Sequence, residues 1–317
     1  MEVQPLDAGG EKTSVTYDAK RVCTWIGLCL TGLLLFGSGL QWLWAAKIGP
    51  LLPEPLNNMW VQTFVPLQMI AMPVTIALLS RAKGSAPEKR TVSFGWLARS
   101  FVIAYAVMVI GNLIGTVLMM MFTGGKAQNP LIAYSLDAGG EALKVLFIVL
   151  LGPLLEEVIF RKLLIDRTRL FGEKNAILFS ALLFGLFHVN LFQFFYAFGI
   201  GLIFGYIYVR TGKVLYTWAM HAIINFCYCV IPGWLIRYDE KLMTFYGLIL
   251  LGIAVSGIIL LILNRKKWEL APVAEGISEK ALRRDMLLNA GVIGFYGMTA
   301  TLTVLMIFQT MGGGGSF

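Results

Sequence analysis

The sequence predicts an all-α, polytopic membrane helix bundle of about nine transmembrane helices with its N-terminus in the cytoplasm. Three observations lead there. Of 317 residues, 57% are hydrophobic and only 14% charged, against about 25% charged in an ordinary soluble domain. Apolar runs long enough to cross a bilayer recur from end to end. Finally, 21 of the 26 lysines and arginines fall in the loops or span ends toward one face of such a bundle, or on that side of a span, and five on the other, which the positive-inside rule reads as the cytoplasmic side. The short alternating segments of an outer-membrane barrel do not occur. Basic loops at a membrane face account for the net charge of +8. No basic cluster interleaves with aromatics, so nucleic acid is not an expected partner.

Residues 1–21 read as a polar, loosely ordered cytoplasmic tail. The first apolar run, 22–46, exceeds the ~7–15 residues of a signal-peptide core and reads as a retained anchor. With spans at 59–80 and 95–122 it makes an N-terminal unit, 22–142, whose loop 123–142 is rich in turn-forming residues. Spans at 143–165, 175–190, 192–209 and 215–231 form a central unit, 143–231. The last three are short, as expected of helices that tilt or border a cavity. Two further spans, 243–263 and 286–311, complete a C-terminal unit, 232–311, and "SEKALRRD" between them reads as a short interfacial helix. The tail 312–317 reads as an appended linker. Gly111 with Gly115, and Gly201 with Gly205, have the small-xxx-small spacing of close helix crossings. Cys23, Cys29, Cys227 and Cys229 lie in spans without C-x-x-C spacing and read as buried thiols.

Ionisable groups deep in hydrocarbon are costly, so they are rare and usually paired or functional. Away from span ends this chain has Glu156, Glu157, Arg161, His188 and His221, which include its only two histidines. Glu157 and Arg161 are i and i+4 with the acid first, the favoured order for an intrahelical pair. Glu156 stands about 100° further round the helix and is left free. His221 and Asn225 in "AMHAIINF" share one helix face, and His188 closes "FGLFH" one turn after Phe184. A carboxylate with an imidazole can hold a water and take its proton. Donors from His221 and Asn225 can stabilise the oxyanion formed when that water attacks a carbonyl. Together these groups suit peptide hydrolysis without a covalent step.

The set Glu156-Glu157-x-x-x-Arg161, Phe184-x-x-x-His188 and His221-x-x-x-Asn225 resembles the three motifs of the CAAX protease and bacteriocin-processing (CPBP, Abi) family. These are intramembrane endopeptidases related to the type II CAAX prenyl endopeptidase. The match covers about 155–226 with no departure at a motif position. By that resemblance Glu156 and His188 activate the water, His221 and Asn225 form the oxyanion hole, and Glu157, Arg161 and Phe184 support them. The implied protein is a multi-pass membrane hydrolase, in the cell membrane of a bacterium or the endoplasmic reticulum of a eukaryote. Its partners would be membrane lipids and a membrane-associated peptide or protein, lipidated or membrane-inserted: a CAAX-type substrate or a bacteriocin or pheromone precursor.

The family has been described both as metal-independent glutamate proteases and as metalloproteases. The reading adopted is a glutamate-type endopeptidase without cofactor. Its alternative is a zinc enzyme with Glu156, His188 and His221 as ligands, a His₂Glu set without the H-E-x-x-H spacing. A serine protease is disfavoured because Ser180 and His188 lie ~12 Å apart along one helix. Non-catalytic alternatives are a peptide-binding immunity protein and a transporter, though no repeat or matched pair of broken helices supports the latter. The helical register places the site in the half of the membrane nearer the basic loops, opening to the cytoplasm.

Overall fold

The computed structural model describes residues 11–53, 56–127, 129, 140–265, 268–273 and 275–311, without the side chains of 11–17 and 309–311. These residues form helices and no strand. Helix α1, Glu11–Leu43, continues through a π-helical turn, Trp44–Ile48, and a 3₁₀ turn, Gly49–Leu51. Then come α2 (Met59–Ser80), α3 (Phe94–Thr123), α4 (141–168), α5 (Glu173–Phe187) and α6 (Leu191–Thr211). The chain continues with α7 (Val214–Tyr238), α8 (Glu240–Asn264), α9 (Glu279–Leu287) and α10 (Ala290–Met311).

Seven of the described helices are long and apolar enough to cross a membrane by themselves. Two segments read as spans from hydropathy fall outside that group. Helix α4 carries Glu156, Glu157, Arg161 and Lys162, and α5 has only 15 residues. The fifth apolar segment therefore ends earlier than expected, at Phe187, with His188 as its C-cap. The N-terminal tail also differs from expectation: residues 11–21 are helical, because helix α1 runs on past the apolar stretch that hydropathy detects. The "SEKALRRD" segment is helical, as α9. The tail 312–317 and most of the loop 123–142 lie outside the described residues.

Local signals set the boundaries. Asn58, Ser93, Asn190 and Ser278 each accept a backbone N–H from the first turn that follows, the usual work of an N-cap. Gly124 and Gly212 end α3 and α6 in the left-handed conformation that glycine adopts without strain. Glycines also permit the tight crossings. A Cβ at Gly111 would lie 2.5 Å from Tyr196 Cα, and one at Gly115 2.4 Å from the Leu191 carbonyl. A Cβ at Gly201 would lie 3.0 Å from Ala181 Cα on α5. Both sequence pairs thus sit where α6 meets a neighbour.

Besides the turn that follows α1, three helices widen into π turns: Val65–Ala71 in α2, Val145–Leu151 in α4 and Phe226–Val230 in α7. Each is followed by a proline two residues on, Pro73, Pro153 and Pro232. Proline has no N–H to give the preceding turn, and its ring crowds the carbonyl there, so the helix unwinds locally to a wider register. Side chains from all three wide turns border the same cavity.

Candidate active site

That cavity, about 200 Å³, is lined by Glu156, His188, His221 and Asn225. The three motifs thus converge from α4, the end of α5 and α7. Glu156 closes a five-residue α-helical stretch, Gly152–Glu156, and Glu157 begins a second π segment, Glu157–Ile165. The two carboxylates diverge accordingly. Glu156 remains partly open, its side chain 18% exposed, with Oε2 3.8 Å from His221 Nε2. Glu157 is fully enclosed.

Glu157 joins two partners. Its Oε1 accepts from His221 Nδ1 at 3.1 Å, and its Oε2 stands 3.1 Å from Arg161 Nε. The arginine contact is an ion pair whose N–H is not aligned for a hydrogen bond. The Arg161 guanidinium also lies 4.4 Å from the centre of the Phe184 ring and donates to Ser180 Oγ at 3.4 Å. Pairing and stacking of this kind make a buried charge tolerable. Ser180, itself fully buried, donates to the Phe160 carbonyl at 2.5 Å. It serves the arginine and does not reach the cavity.

Hydrogen bonding sets which ring nitrogens face the cavity. His188 Nδ1 lies 2.9 Å from the Phe184 carbonyl, which can only accept, so Nδ1 carries the hydrogen and a neutral ring keeps its lone pair on Nε2. His221 Nδ1 likewise donates to Glu157, leaving Nε2 toward Glu156. Phe184 sits between the rings, edge-on to both, with centroids 4.9 and 6.0 Å away. Its spacing from His188 therefore reflects packing. No direct bond joins His188 to Glu156.

Asn225 Nδ2 donates to the Ile148 carbonyl at 2.9 Å. Pro153 explains why that carbonyl is available. The N–H of Gly152 turns to Phe147, and residue 153, next in line in a π turn, has no N–H. The Cys227 carbonyl, five residues before Pro232, is satisfied in the same way by Tyr246 Oη at 3.0 Å. Asn225 thus anchors α7 to α4 and keeps a second amide hydrogen for the cavity.

The turn bearing His188 is equally constrained. Asn190 donates to the His188 carbonyl at 3.1 Å and caps α6 through Gln193 N. Between them Val189 has φ of 48°, a conformation that a β-branched residue adopts only when its surroundings enforce it.

Among the described residues no three His, Cys, Asp or Glu side chains stand close enough to hold one ion.

The cavity does not extend toward the basic loops as its register suggests. On that side Phe160, Arg161, Ser180, Phe204 and Thr217 are fully buried and form a closed floor. Beneath it the strap 82–93 is tied down by Ser85 N to Asp166 O (2.6 Å) and Arg90 N to Thr211 O (2.8 Å). The lining continues instead through Phe64, Gln68, Ile148, Asn112 and Gln193, toward the helix ends opposite those loops. Tyr196 and Gln193 also belong to it. Gln68, Asn190 and Val189 had no place among the sequence candidates. The signal for Gln68 was an uncharged polar residue inside an apolar span.

Residues 138–227, under a third of the chain, match the family model described as type II CAAX prenyl endopeptidase Rce1-like. The central segment is similar to the CAAX protease family. All four cavity groups and their supporting residues fall inside this matched segment, whereas Gln68 and Asn112 lie outside it. The match supports an intramembrane protease, a hydrolase acting on prenylated or membrane-associated peptides, as the general class. Together with the apolar helices it makes this an integral membrane protein. No curated protein and no solved structure matches the chain.

Proposed function

We propose that the protein hydrolyses a peptide bond of a membrane-associated, CAAX-type substrate by attack of an activated water, without a metal ion. The observation that carries this reading is the convergence of Glu156, His188, His221 and Asn225 on one cavity, with Glu157 orienting His221 from behind. A water between Glu156 and His188 Nε2 gives up a proton to the carboxylate as its oxygen attacks the scissile carbonyl carbon. The resulting oxyanion accepts from Asn225 Nδ2–H and from His221 Nε2–H. The latter requires an imidazolium, whose other N–H remains on Glu157. Collapse of the tetrahedral intermediate breaks the C–N bond, and the proton held on Glu156 passes to the leaving amine. The products are a carboxylic acid and a free amine.

The test is cleavage of an internally quenched, farnesylated CAAX peptide by the purified protein. Glu156→Gln and His188→Ala should each reduce turnover by about 10²–10⁴-fold, and Asn225→Ala by about 10²-fold through loss of an oxyanion donor. Cleavage surviving both Glu156→Gln and His188→Ala overturns the mechanism. Metal independence is checked separately: turnover should persist after dialysis against a strong chelator, and loss restored by zinc would favour the metalloprotease.

A further inference from the structure

We propose that Gln68, on the wide turn of α2 and outside the family segment, positions the substrate by accepting one of its backbone N–H groups beside the scissile bond. The inference rests on the peptidase reading above. Gln68 is 4% exposed and lines the cavity. Its Nε2 donates to the Phe147 carbonyl at 3.2 Å. A carbonyl can only accept, so this bond fixes the amide with nitrogen toward α4. The other end, Oε1, is buried without a bond from any group of the protein. Such orphaned acceptors are uncommon in folded chains and costly where water is scarce.

Two features suggest what the oxygen takes. The first is register. A Cβ at Gly152 would lie 2.9 Å from Gln68 Nε2, so the amide rests against that glycine. Gly152 and Glu156 are the ends of one α-helical stretch, four residues apart on the same face and so ~6 Å apart along the axis. An extended peptide advances ~3.3 Å per residue. Gln68 therefore reaches an N–H within about two residues of a carbonyl held at Glu156. The second is charge. Among the described lining residues, Asn112, Gln193, Tyr196 and Tyr228 are uncharged, and no lysine or arginine contributes. A carboxylate or phosphate beside Gln68 would find no lysine or arginine, whereas a neutral peptide amide fits. Asn112 and Tyr228 already bond each other at 2.8 Å, and among the described lining residues Gln68 Oε1 is the fully buried side-chain atom left without a partner.

The experiment uses the full-length protein and the farnesylated quenched peptide, with amides within two residues of the cleaved bond replaced one at a time by esters. An ester removes the N–H without adding bulk. One such position should raise KM about fivefold for the wild type, the weight of one hydrogen bond. Gln68→Met should raise KM for the all-amide peptide by a similar factor, leave kcat little changed and abolish the response to that ester. Gln68→Glu, which keeps an acceptor, should keep the response. If thermal unfolding shows that Gln68→Met is not folded, Gln68→Ala, too short to reach, takes its place. If no ester separates wild type from the truncating variant, the inference is wrong while the peptidase reading stands. If the wild type neither binds nor cleaves the all-amide peptide, both fall.

Discussion

Glu157 is committed on both sides, to His221 and to Arg161, and its two tasks are separable by mutation. Glu157→Gln leaves the arginine charge buried without a counter-charge and should lower stability by about 3–5 kcal/mol, read as an earlier thermal unfolding in detergent. Adding Arg161→Met removes the stranded charge, fills similar volume against Phe184 and should recover most of that loss. Turnover should not recover in the double variant, because His221 has lost the carboxylate that orients it. Recovery of both would assign Glu157 to packing alone. The i, i+4 relation of Glu157 and Arg161 was readable from the sequence, since both lie on one helix. The His221 contact crosses 64 positions and no spacing rule reports it.

At the scale of elements, the prolines and the cavity are linked. The wide turns Val65–Ala71, Val145–Leu151 and Phe226–Val230 each end two residues before a proline, and each contributes to the lining: Gln68 from α2, Ile148 from α4, Tyr228 and Cys229 from α7. A widened turn pushes backbone outward and frees carbonyls that other helices then satisfy. Pro153→Ala restores an N–H that competes with Asn225 for the Ile148 carbonyl. The substitution should leave thermal stability equal or higher and reduce kcat by about tenfold through misplaced Asn225. Unchanged kcat would show that the Asn225–Ile148 bond has no part in positioning the site. The three prolines are visible in the sequence; that their turns meet around one space is not, because α2, α4 and α7 are distant in the chain.

For the whole molecule, the closed floor and the basic loops lie on the same side of the site. With the loops in the cytoplasm, as the lysine and arginine asymmetry predicts, the cavity faces the opposite side. Single cysteines in an otherwise cysteine-free protein test this with a membrane-impermeant maleimide. Gln193→Cys, in the cavity, and Lys174→Cys, exposed at the basic end, should label from opposite faces of sealed vesicles, Lys174→Cys from the cytoplasmic one. Labelling of both from one face would place the opening at the basic end.

Composition and hydropathy alone determine that this chain is a helical membrane protein, because the cost of unpaired backbone in hydrocarbon leaves an apolar chain few other choices. The same cost makes every buried ionisable residue conspicuous, so Glu156, Glu157, Arg161, His188 and His221 stand out before any coordinates exist. What only the tertiary structure decides is how these groups face one another and what surrounds them: Glu157 behind His221, the capped and strained turn at His188, the floor beneath and Gln68 across the cavity. These depend on contacts between helices far apart in sequence. Such contacts are set by side-chain packing, glycine crossings and orphaned carbonyls, none of which has a period along the chain.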